Sequence, residues 1–380
     1  MKIALLSDWF LPRLGGVELQ IRDLAGELAR RGHEVHVVTT TPADEGFQGA
    51  LQTAPLDAQG GVAVHRVAVP LVPGIHITLS PAAGAAMRET LRRIAPDVVH
   101  LHASIFSTGC LAGGWAAHDL GIPSILTFHS VLGPWRNVLK AADLAFGWTR
   151  WPSVFSAVSA TAARDVSWLA HGRPVELLPN GLDPAEWVVE PDPARGPDLQ
   201  LVSVLRLQSR KRPSALVRIV AEAAKRLHGT REVRLTVIGD GPARPRMEKL
   251  AERLGIADAV EFTGYLARPE IRARFARAHA FLLVSTREAF GIAALEARAA
   301  GLPVVARGDT GMGELFEQGK EGLLATTDAG VVDHLVRLGS DPALLEGIAL
   351  HNRTVPPAVG WTTTVAKHLE LYDRAIAAAA

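Results

Sequence analysis

Glu288 and Glu296 lie eight residues apart in the stretch S-T-R-E-A-F-G-I-A-A-L-E-A, Ser285 to Ala297. Paired carboxyl groups can act as acid and base on a glycosidic bond when they face each other about 5 to 10 Å apart across a sugar. They can also accept hydrogen bonds from sugar or ribose hydroxyls. The apolar run A-F-L-L-V, Ala280 to Val284, reads as a buried strand, and the residues from Gly291 onward read as a helix that stops at Gly301 and Pro303. Glu288 then falls in the strand-to-helix loop, and Glu296 a little over one turn into the helix. Phe290, Gly291 and Ile292 occupy the helix start, where unpaired N–H groups and the helix dipole favour an anion. Carboxylates beside such a site are better suited to hold sugar or ribose hydroxyls than to cleave a glycoside. The plainer alternative is one loop carboxylate and one on a helix surface, both solvated.

Further groups of this kind sit where strands end. In V-L-R-L-Q-S-R-K-R-P, Arg206 follows directly on a strand, and Lys211 lies five residues on, in the next strand-to-helix loop. Two cations there can neutralise a diphosphate leaving group; an exposed basic loop is the alternative. Gly239-Asp240-Gly241-Pro242 ends another strand and begins like a dinucleotide fingerprint, but position 244 is Arg and no third Gly follows, so a nicotinamide site gains little support. Gly15-Gly16-Val17-Glu18 opens the first helix, and paired glycines let a backbone approach a phosphate closely, although an ordinary tight turn would look the same. His129 closes the strand I-L-T-F-H at a carboxyl edge, a place for a ligand contact or for a buried structural imidazole. His100 with His102, and His33 with His36, lie on β-like runs, so neither pair reads as a metal site. The sequence contains no Asp-x-Asp to hold a nucleotide-bound divalent ion, so no metal or other cofactor is expected.

The elements that must position these groups alternate. Lys2 to Ser7 is a short apolar run, a Gly-containing loop follows, and Val17, Ile21, Leu24 and Leu28 recur at helical spacing as far as Gly32. His33 to Thr40 then reads as a second strand, which makes a β-loop-α-β unit and implies a parallel sheet. The theme recurs through V-V-H-L-H, a helical stretch from about Thr108 to Leu120, I-P-S-I-L-T-F-H and V-F-S-A-V-S. From Glu186 to Leu199 the sequence carries three prolines and no periodicity, and the alternation restarts beyond it. The expected architecture is α/β, with two doubly wound domains at residues 1–186 and 200–360 and a linker at 187–199, which suits a chain of 380 residues. Ligands in such sheets bind at the carboxyl ends of strands, and those ends are expected to face a shared cleft.

Composition narrows the function classes. Hydrophobic content of 48% and charged content of 21% are those of a globular protein. Forty basic side chains against 39 acidic ones leave no polyelectrolyte footprint, so no nucleic-acid partner is expected and any anion site is local. Cys110 is the only cysteine, which points to a reducing compartment. The first apolar run is too short for a signal peptide, and no stretch reaches roughly 18 apolar residues. The expectation is a cytoplasmic protein, open to association with a membrane surface.

With these pieces placed, the sequence resembles glycosyltransferase family 4, retaining sugar-nucleotide transferases of the GT-B fold, over essentially its full length. The resemblance rests on G-G-V-E, the strand ending in His129, P-N-G-L-D at Pro179 to Asp183, Arg206 with Lys211, G-D-G-P, and E-A-F-G-I-A-A-L-E followed by G-L-P-V-V-A. G-G-V-E and the segment from V-V-H-L-H-A-S-I-F-S through T-F-H-S-V-L-G look similar to the phosphatidylinositol N-acetylglucosaminyltransferase catalytic-subunit branch. The resemblance implies two Rossmann-like domains facing a central cleft, the first on the acceptor side and the second holding the nucleotide-diphosphate sugar. Residues 361–380, which begin W-T-T-T-V-A-K-H-L-E-L-Y, would pack back on the first domain.

It also implies roles. Glu296 would hold the ribose, Glu288 the donor sugar, and Arg206 and Lys211 the diphosphate, aided by N–H groups at Phe290 to Ile292 and at Gly15-Gly16. His129 would sit beside the reacting sugar, and Gly239, Asp240 and Gly241 near the nucleobase. After G-L-P-V-V-A the family commonly carries Gly-Gly and then Pro-Glu, whereas this chain reads G-D-T-G-M-G-E-L, ending with Glu314 and Leu315. The implied reaction is metal-independent transfer to an acceptor hydroxyl with retention at the anomeric carbon. Competing readings are a GT-B sugar-nucleotide epimerase or phosphorylase, and a non-catalytic two-domain ligand-binding protein. For the acceptor, W-R-N-V-L-K-A-A-D-L-A-F-G-W-T-R-W, Trp135 to Trp151, mixes aromatic residues with Arg136, Lys140 and Arg150. Such a stretch suits a lipid headgroup surface and thus a lipid-linked acceptor, with core packing as the alternative.

Overall fold

The structure, a computed structural model, describes residues 1–43, 51–56, 61–72 and 77–379. The chain divides into two compact units, Met1–Gly181 with Trp361–Ala380, and Leu182–Gly360.

In the first unit the strands are β1 (Lys2–Ser7), β2 (Glu34–Thr39), β3 (Leu51–Pro55), β4 (Val62–Val67), β5 (Val98–Ala103), β6 (Ser124–Phe128), β7 (Val154–Ala157) and β8 (Val175–Leu177). They form one sheet in the order β3-β4-β2-β1-β5-β6-β7-β8, parallel except for β3, which pairs antiparallel with β4. The helices are α1 (Gly16–Arg30), α2 (Ala82–Ile94), α3 (Thr108–Asp119), α4 (Trp135–Phe146) and α5 (Ala160–Leu169). Strands β1 and β5 are near-continuous apolar runs, which suits a parallel sheet covered on both faces. Ile21, Leu24 and Leu28 supply the buried stripe of α1, and they share a core with Val365, Leu371 and Tyr372 from the last helix of the chain.

The second unit repeats the plan with β9 (Leu199–Val204), β10 (Val233–Ile238), β11 (Val260–Gly264), β12 (Ala280–Leu283), β13 (Val304–Arg307) and β14 (Gly322–Ala325). Its helices are α6 (Pro213–Leu227), α7 (Arg244–Arg253), α8 (Arg268–Arg277), α9 (Ile292–Ala299), α10 (Asp328–Ser340) and α11 (Pro342–Thr354), and α12 (Trp361–Ala377) then returns to the first unit. The order β11-β10-β9-β12-β13-β14 is parallel throughout and reverses its winding between β9 and β12. The first sheet reverses between β1 and β5. Crevices form outside the carboxyl ends at such reversals, because the loops on either side run in opposite directions.

The Pro-rich stretch at 187–199 is not a free linker. Trp187 is buried, its ring 5.8 Å from that of Phe275, the Asp192 N–H donates to the Ala276 carbonyl at 2.8 Å, and Arg277 pairs with the Asp192 carboxylate at 3.0 Å. The stretch is packed on the second unit, and the first unit ends at Gly181 rather than 186. A single buried indole outweighs the prolines here.

Asp8, just beyond β1, ties the first crevice together. Its carboxylate accepts from the Gly109 N–H at 2.7 Å and the Cys110 N–H at 2.9 Å, at the start of α3. Its carbonyl accepts from the hydroxyls of Thr39, Thr40 and Thr41. Burial pushes this carboxyl up from 3.8 to about 6, against the backbone hydrogen bonds from Cys110 and Gly109. Since the folded state holds the proton more tightly, raising the pH from 3.8 towards about 6 ionises the unfolded chain first and removes stability. Asp8→Ala orphans two buried N–H groups and should cost about 2–3 kcal/mol in urea unfolding. It should also flatten the fall in stability over that pH range. Wild-type stability with an unchanged pH slope would contradict this role.

Candidate active site

In the second unit the candidate residues gather at three adjacent strand ends, those of β10, β9 and β12. Arg206 lies two residues past β9, and Lys211 closes a 3₁₀ turn, Ser209–Lys211, that leads into α6. Glu288 lies in the loop after β12, Phe290 and Gly291 precede α9, Ile292 begins it, and Glu296 is buried within it. The Lys211 Nζ donates to Glu288 Oε2 at 2.6 Å, across the reversal of winding, and both side chains are largely shielded from solvent. The Ser285 hydroxyl in the same loop is buried and has no hydrogen-bond partner.

Glycines permit the close approach of these loops. Gly239 has φ +120° and Gly241 φ +155°, and a Cβ on either would fall 2.1 Å from the Leu205 carbonyl oxygen or 2.6 Å from that of Leu207. The G-D-G turn therefore lies directly on the two residues flanking Arg206, and the Leu207 N–H donates to the Asp240 carbonyl at 2.9 Å. Gly291 caps α9 with φ +77°, and a Cβ there would meet the Met312 sulfur at 2.3 Å. The segment G-D-T-G-M-G-E, Gly308 to Glu314, packs on the Glu288 turn. The Gly311 N–H donates to the Glu288 carbonyl at 2.9 Å, and a side chain at 311 would strike the Ala289 carbonyl.

A second ionic group braces these loops, and sequence reasoning missed it. Arg212, next to Lys211, adopts φ +55° and ψ +45°, a left-handed conformation that costs a non-glycine residue about 1–2 kcal/mol. Its guanidinium grips Asp328 at the start of α10 through both nitrogens, at 2.8 and 2.6 Å, and donates to the Val284 carbonyl at 3.1 Å. Arg307, at the end of β13, donates to Asp328 at 3.1 Å and to both oxygens of Asp309. Arg212 was visible only as one cation in the run R-K-R. Its role depends on Asp328, 116 residues away, which no local pattern reveals.

In the first unit, Gly15 and Gly16 stand at the start of α1, in the loop after β1. Gly15 is extended, a conformation open to any residue, so the glycine is not required by the backbone angle. His129 follows β6, and its Nε2 lies 3.0 Å from Nδ1 of His102 on the neighbouring strand β5. Burial pushes the His129 imidazole down to about 4, against a hydrogen bond with Asn180, so it is neutral at pH 7. It can then serve as a hydrogen-bond donor or acceptor, not as a standing cation. Among the described residues, no group of three or more His, Cys, Asp or Glu side chains could hold a metal ion.

The stretch from Trp135 to Trp151 differs from a single amphipathic segment. Helix α4 ends at Gly147, φ +63°, and Trp148 is buried beyond it. Arg136 and Lys140 are partly exposed but are engaged by α5. Arg136 bonds Asp165 at 2.9 Å, Lys140 donates to the Trp168 carbonyl at 2.9 Å, and both lie over the Trp168 ring, so they hold α5 in place. Most of what α4 exposes is apolar: Trp135, Val138, Leu144 (80% exposed) and Phe146 (72% exposed), with Phe106 edge-on to Trp135; the polar Asn137, between Trp135 and Val138 in sequence, is also exposed. No described helix is long and apolar enough to cross a membrane.

Comparison with known proteins matches this arrangement at both ends of the chain. The model for Glycosyltransferase Family 4 matches residues 14–186, and that for Glycosyl transferases group 1 matches residues 190–346. The chain belongs to glycosyltransferase family 4. Among its relatives, one subunit of the phosphatidylinositol N-acetylglucosaminyltransferase of Arabidopsis thaliana is 29% identical over 387 residues, covering 99% of this chain and 82% of that protein. The alpha-monoglucosyldiacylglycerol synthase of Acholeplasma laidlawii is 24% identical over 371 residues, covering 91% and 90%. Among solved structures, Anabaena HepE in complex with UDP-glucose has a TM-score of 0.79 at 21% identity, covering 98% of this chain and 100% of that one. The fold of this family-4 enzyme is thus GT-B.

The strained turn beside Lys211 yields a stability test. Arg212→Ala loses the ion pair and keeps the left-handed backbone, and should cost about 1–2 kcal/mol in urea unfolding. Arg212→Gly loses the same pair but adopts the turn freely, and should recover about 1 kcal/mol of that loss. Equal losses would show that the turn stores no strain.

Proposed function

We propose that this glycosyltransferase moves a sugar from a nucleotide-diphosphate sugar to a hydroxyl of a lipid-linked or membrane-surface acceptor, with retention at the anomeric carbon and without a metal ion. The observation that carries the donor half is the Lys211–Glu288 contact at the reversal of the second sheet, beside the start of α9. A lysine already committed to a carboxylate can exchange it for a diphosphate, and the released Glu288 can accept from a sugar hydroxyl. In this reading Arg206 and Lys211 neutralise the diphosphate as its bond to the sugar breaks, with help from the N–H groups at Phe290, Gly291 and Ile292. Glu296 accepts from the ribose hydroxyls, and the turn at Gly239, Asp240 and Gly241 lies by the nucleobase. In the first unit Gly15 and Gly16 offer N–H groups to phosphate, and His129 contacts the reacting sugar. The departing phosphate oxygen takes the proton of the acceptor hydroxyl as that hydroxyl attacks from the same face, so no second carboxylate is required. The complex of HepE with UDP-glucose supports the donor class.

The acceptor half rests on two observations. The Arabidopsis and Acholeplasma relatives are named for phosphatidylinositol and diacylglycerol products or substrates. The exposed face of α4, with Trp135, Val138, Leu144 and Phe146, presents an apolar surface suited to the boundary of a lipid layer.

Nucleoside diphosphate release from a panel of UDP-, GDP- and ADP-sugars tests the donor half. One sugar nucleotide should be turned over, in EDTA as well as without it. Lys211→Ala should lower kcat about 100-fold, and Glu296→Ala should mainly raise the donor KM, by about tenfold. Wild-type constants in both variants would overturn the site. For the acceptor half, co-sedimentation with phosphatidylinositol-containing liposomes should be lost in Leu144→Ser/Phe146→Ser. Binding that survives this change would remove the α4 surface from the account.

A further inference from the structure

The interior of the first unit holds a cluster of imidazoles that the proposed reaction does not use. His100 and His102 lie on β5, and His368 lies on α12 with Tyr372. His100 is closed on both sides: its Nδ1 meets the Tyr372 hydroxyl at 2.8 Å, and its Nε2 meets the Thr127 hydroxyl at 2.6 Å, which in turn lies 2.5 Å from that of Ser156. His368 Nδ1 donates to the Thr364 carbonyl at 2.7 Å, which fixes its tautomer. His102 differs. Its ring lies 4.0 Å from that of His100, its Nδ1 faces His129 Nε2 at 3.0 Å, and its Nε2 is buried with no partner. The far nitrogen of the pair, His129 Nδ1, is also buried, and the Asn180 side chain hydrogen-bonds the His129 ring.

Two neutral imidazoles in contact share one proton, and its place decides both tautomers. If His102 Nδ1 donates, His129 carries its own proton on Nδ1 and offers a donor there. If His129 Nε2 donates, its Nδ1 is a bare acceptor, and an unpartnered N–H is left on His102 Nε2. His102 is 2% exposed, whereas His129 stands at the sheet edge next to Asn180. An N–H on His102 Nε2 would be buried with no acceptor, whereas a proton on His129 has the Asn180 side chain beside the ring to accept it.

We propose that His102 is a positioning residue for His129: by donating from Nδ1 it occupies His129 Nε2 and leaves Nδ1–H as the group that His129 presents to a substrate oxygen. This rests on the assignment of His129 to the reacting sugar. The orientation half of the proposal does not, so the two can fail separately. The packing of His102 on His100, and of His100 on Tyr372, extends the support to the terminal helix. The proton of His129 is placed by its contact with His102, and the ring contacts behind His102 brace that side chain.

Long-range ¹H–¹⁵N NMR of the imidazoles tests the orientation directly on the whole protein. Wild type should show His129 protonated on Nδ1. His102→Asn, whose amide can donate from nearly the position of Nδ1, should keep that tautomer, and His102→Leu should release it to Nε2–H. Turnover of the sugar nucleotide identified in the release panel should follow. In His102→Leu, kcat should fall about tenfold with the donor KM unchanged, recover in His102→Asn, and show no further fall when His102→Leu is added to His129→Ala. Protonation of His129 on Nε2 in wild type overturns the proposal, as does a fully additive double variant. If His102→Leu does not fold, the wild-type and His102→Asn spectra decide. If the tautomers behave as stated while His129→Ala retains full activity, the orientation stands and the contact of His129 with the sugar is what fails.

Discussion

The ion pair between Lys211 and Glu288 depends on a topological fact, the reversal of winding between β9 and β12. Within the second sheet, only there do two neighbouring parallel strands send their following helices to opposite faces, which opens a crevice at their carboxyl ends. A lysine from one lip and a glutamate from the other meet across it. In a site with little solvent access each charge needs the other, because an unpaired buried ion costs several kcal/mol. That requirement makes the pair a ready seat for a ligand carrying both an anion for the lysine and hydroxyls for the glutamate.

Much of the surrounding structure serves to bring those two lips together. The G-D-G turn lies on Leu205 and Leu207 because its glycines have no side chain to hold it off, and so it fixes the flanks of Arg206. The segment around Gly311 clamps the Glu288 turn from the other side. Arg212 takes a strained backbone conformation immediately beside Lys211, and Asp328 holds it there. Gly239, Gly241 and Gly291, singled out as ligand contacts, are thus required first by backbone packing. Any contact of theirs with a nucleotide is an addition to that role.

The fold was legible in the sequence because both sheets are largely parallel and buried, so their strands appear as short apolar runs between helical periods and several carboxyl ends are marked by Gly, Arg or His. The position of Glu296 within its helix followed from the Gly301 stop. The division of the chain was read less well, since the Pro-rich run at 187–199 is held down by Trp187, whose partner Phe275 lies far along the chain. The same limit applies to Arg136 and Lys140, which look like free cations in sequence and are bound to Asp165 and Trp168 in space. The contacts of Asp328 with Arg212 and of His102 with His129 were unreadable for the same reason: each is made by tertiary structure alone.

The central claim is that the crevice between β9 and β12 holds the diphosphate of a sugar nucleotide by displacing Glu288 from Lys211. A crystal structure of the enzyme with the nucleoside diphosphate that it releases tests this most directly. The account predicts phosphate oxygens within hydrogen-bond distance of Arg206, Lys211 and the N–H groups at the start of α9, with Lys211 drawn away from Glu288. A nucleotide bound elsewhere, or one bound there with the Lys211–Glu288 pair intact and no phosphate on the lysine, would contradict it.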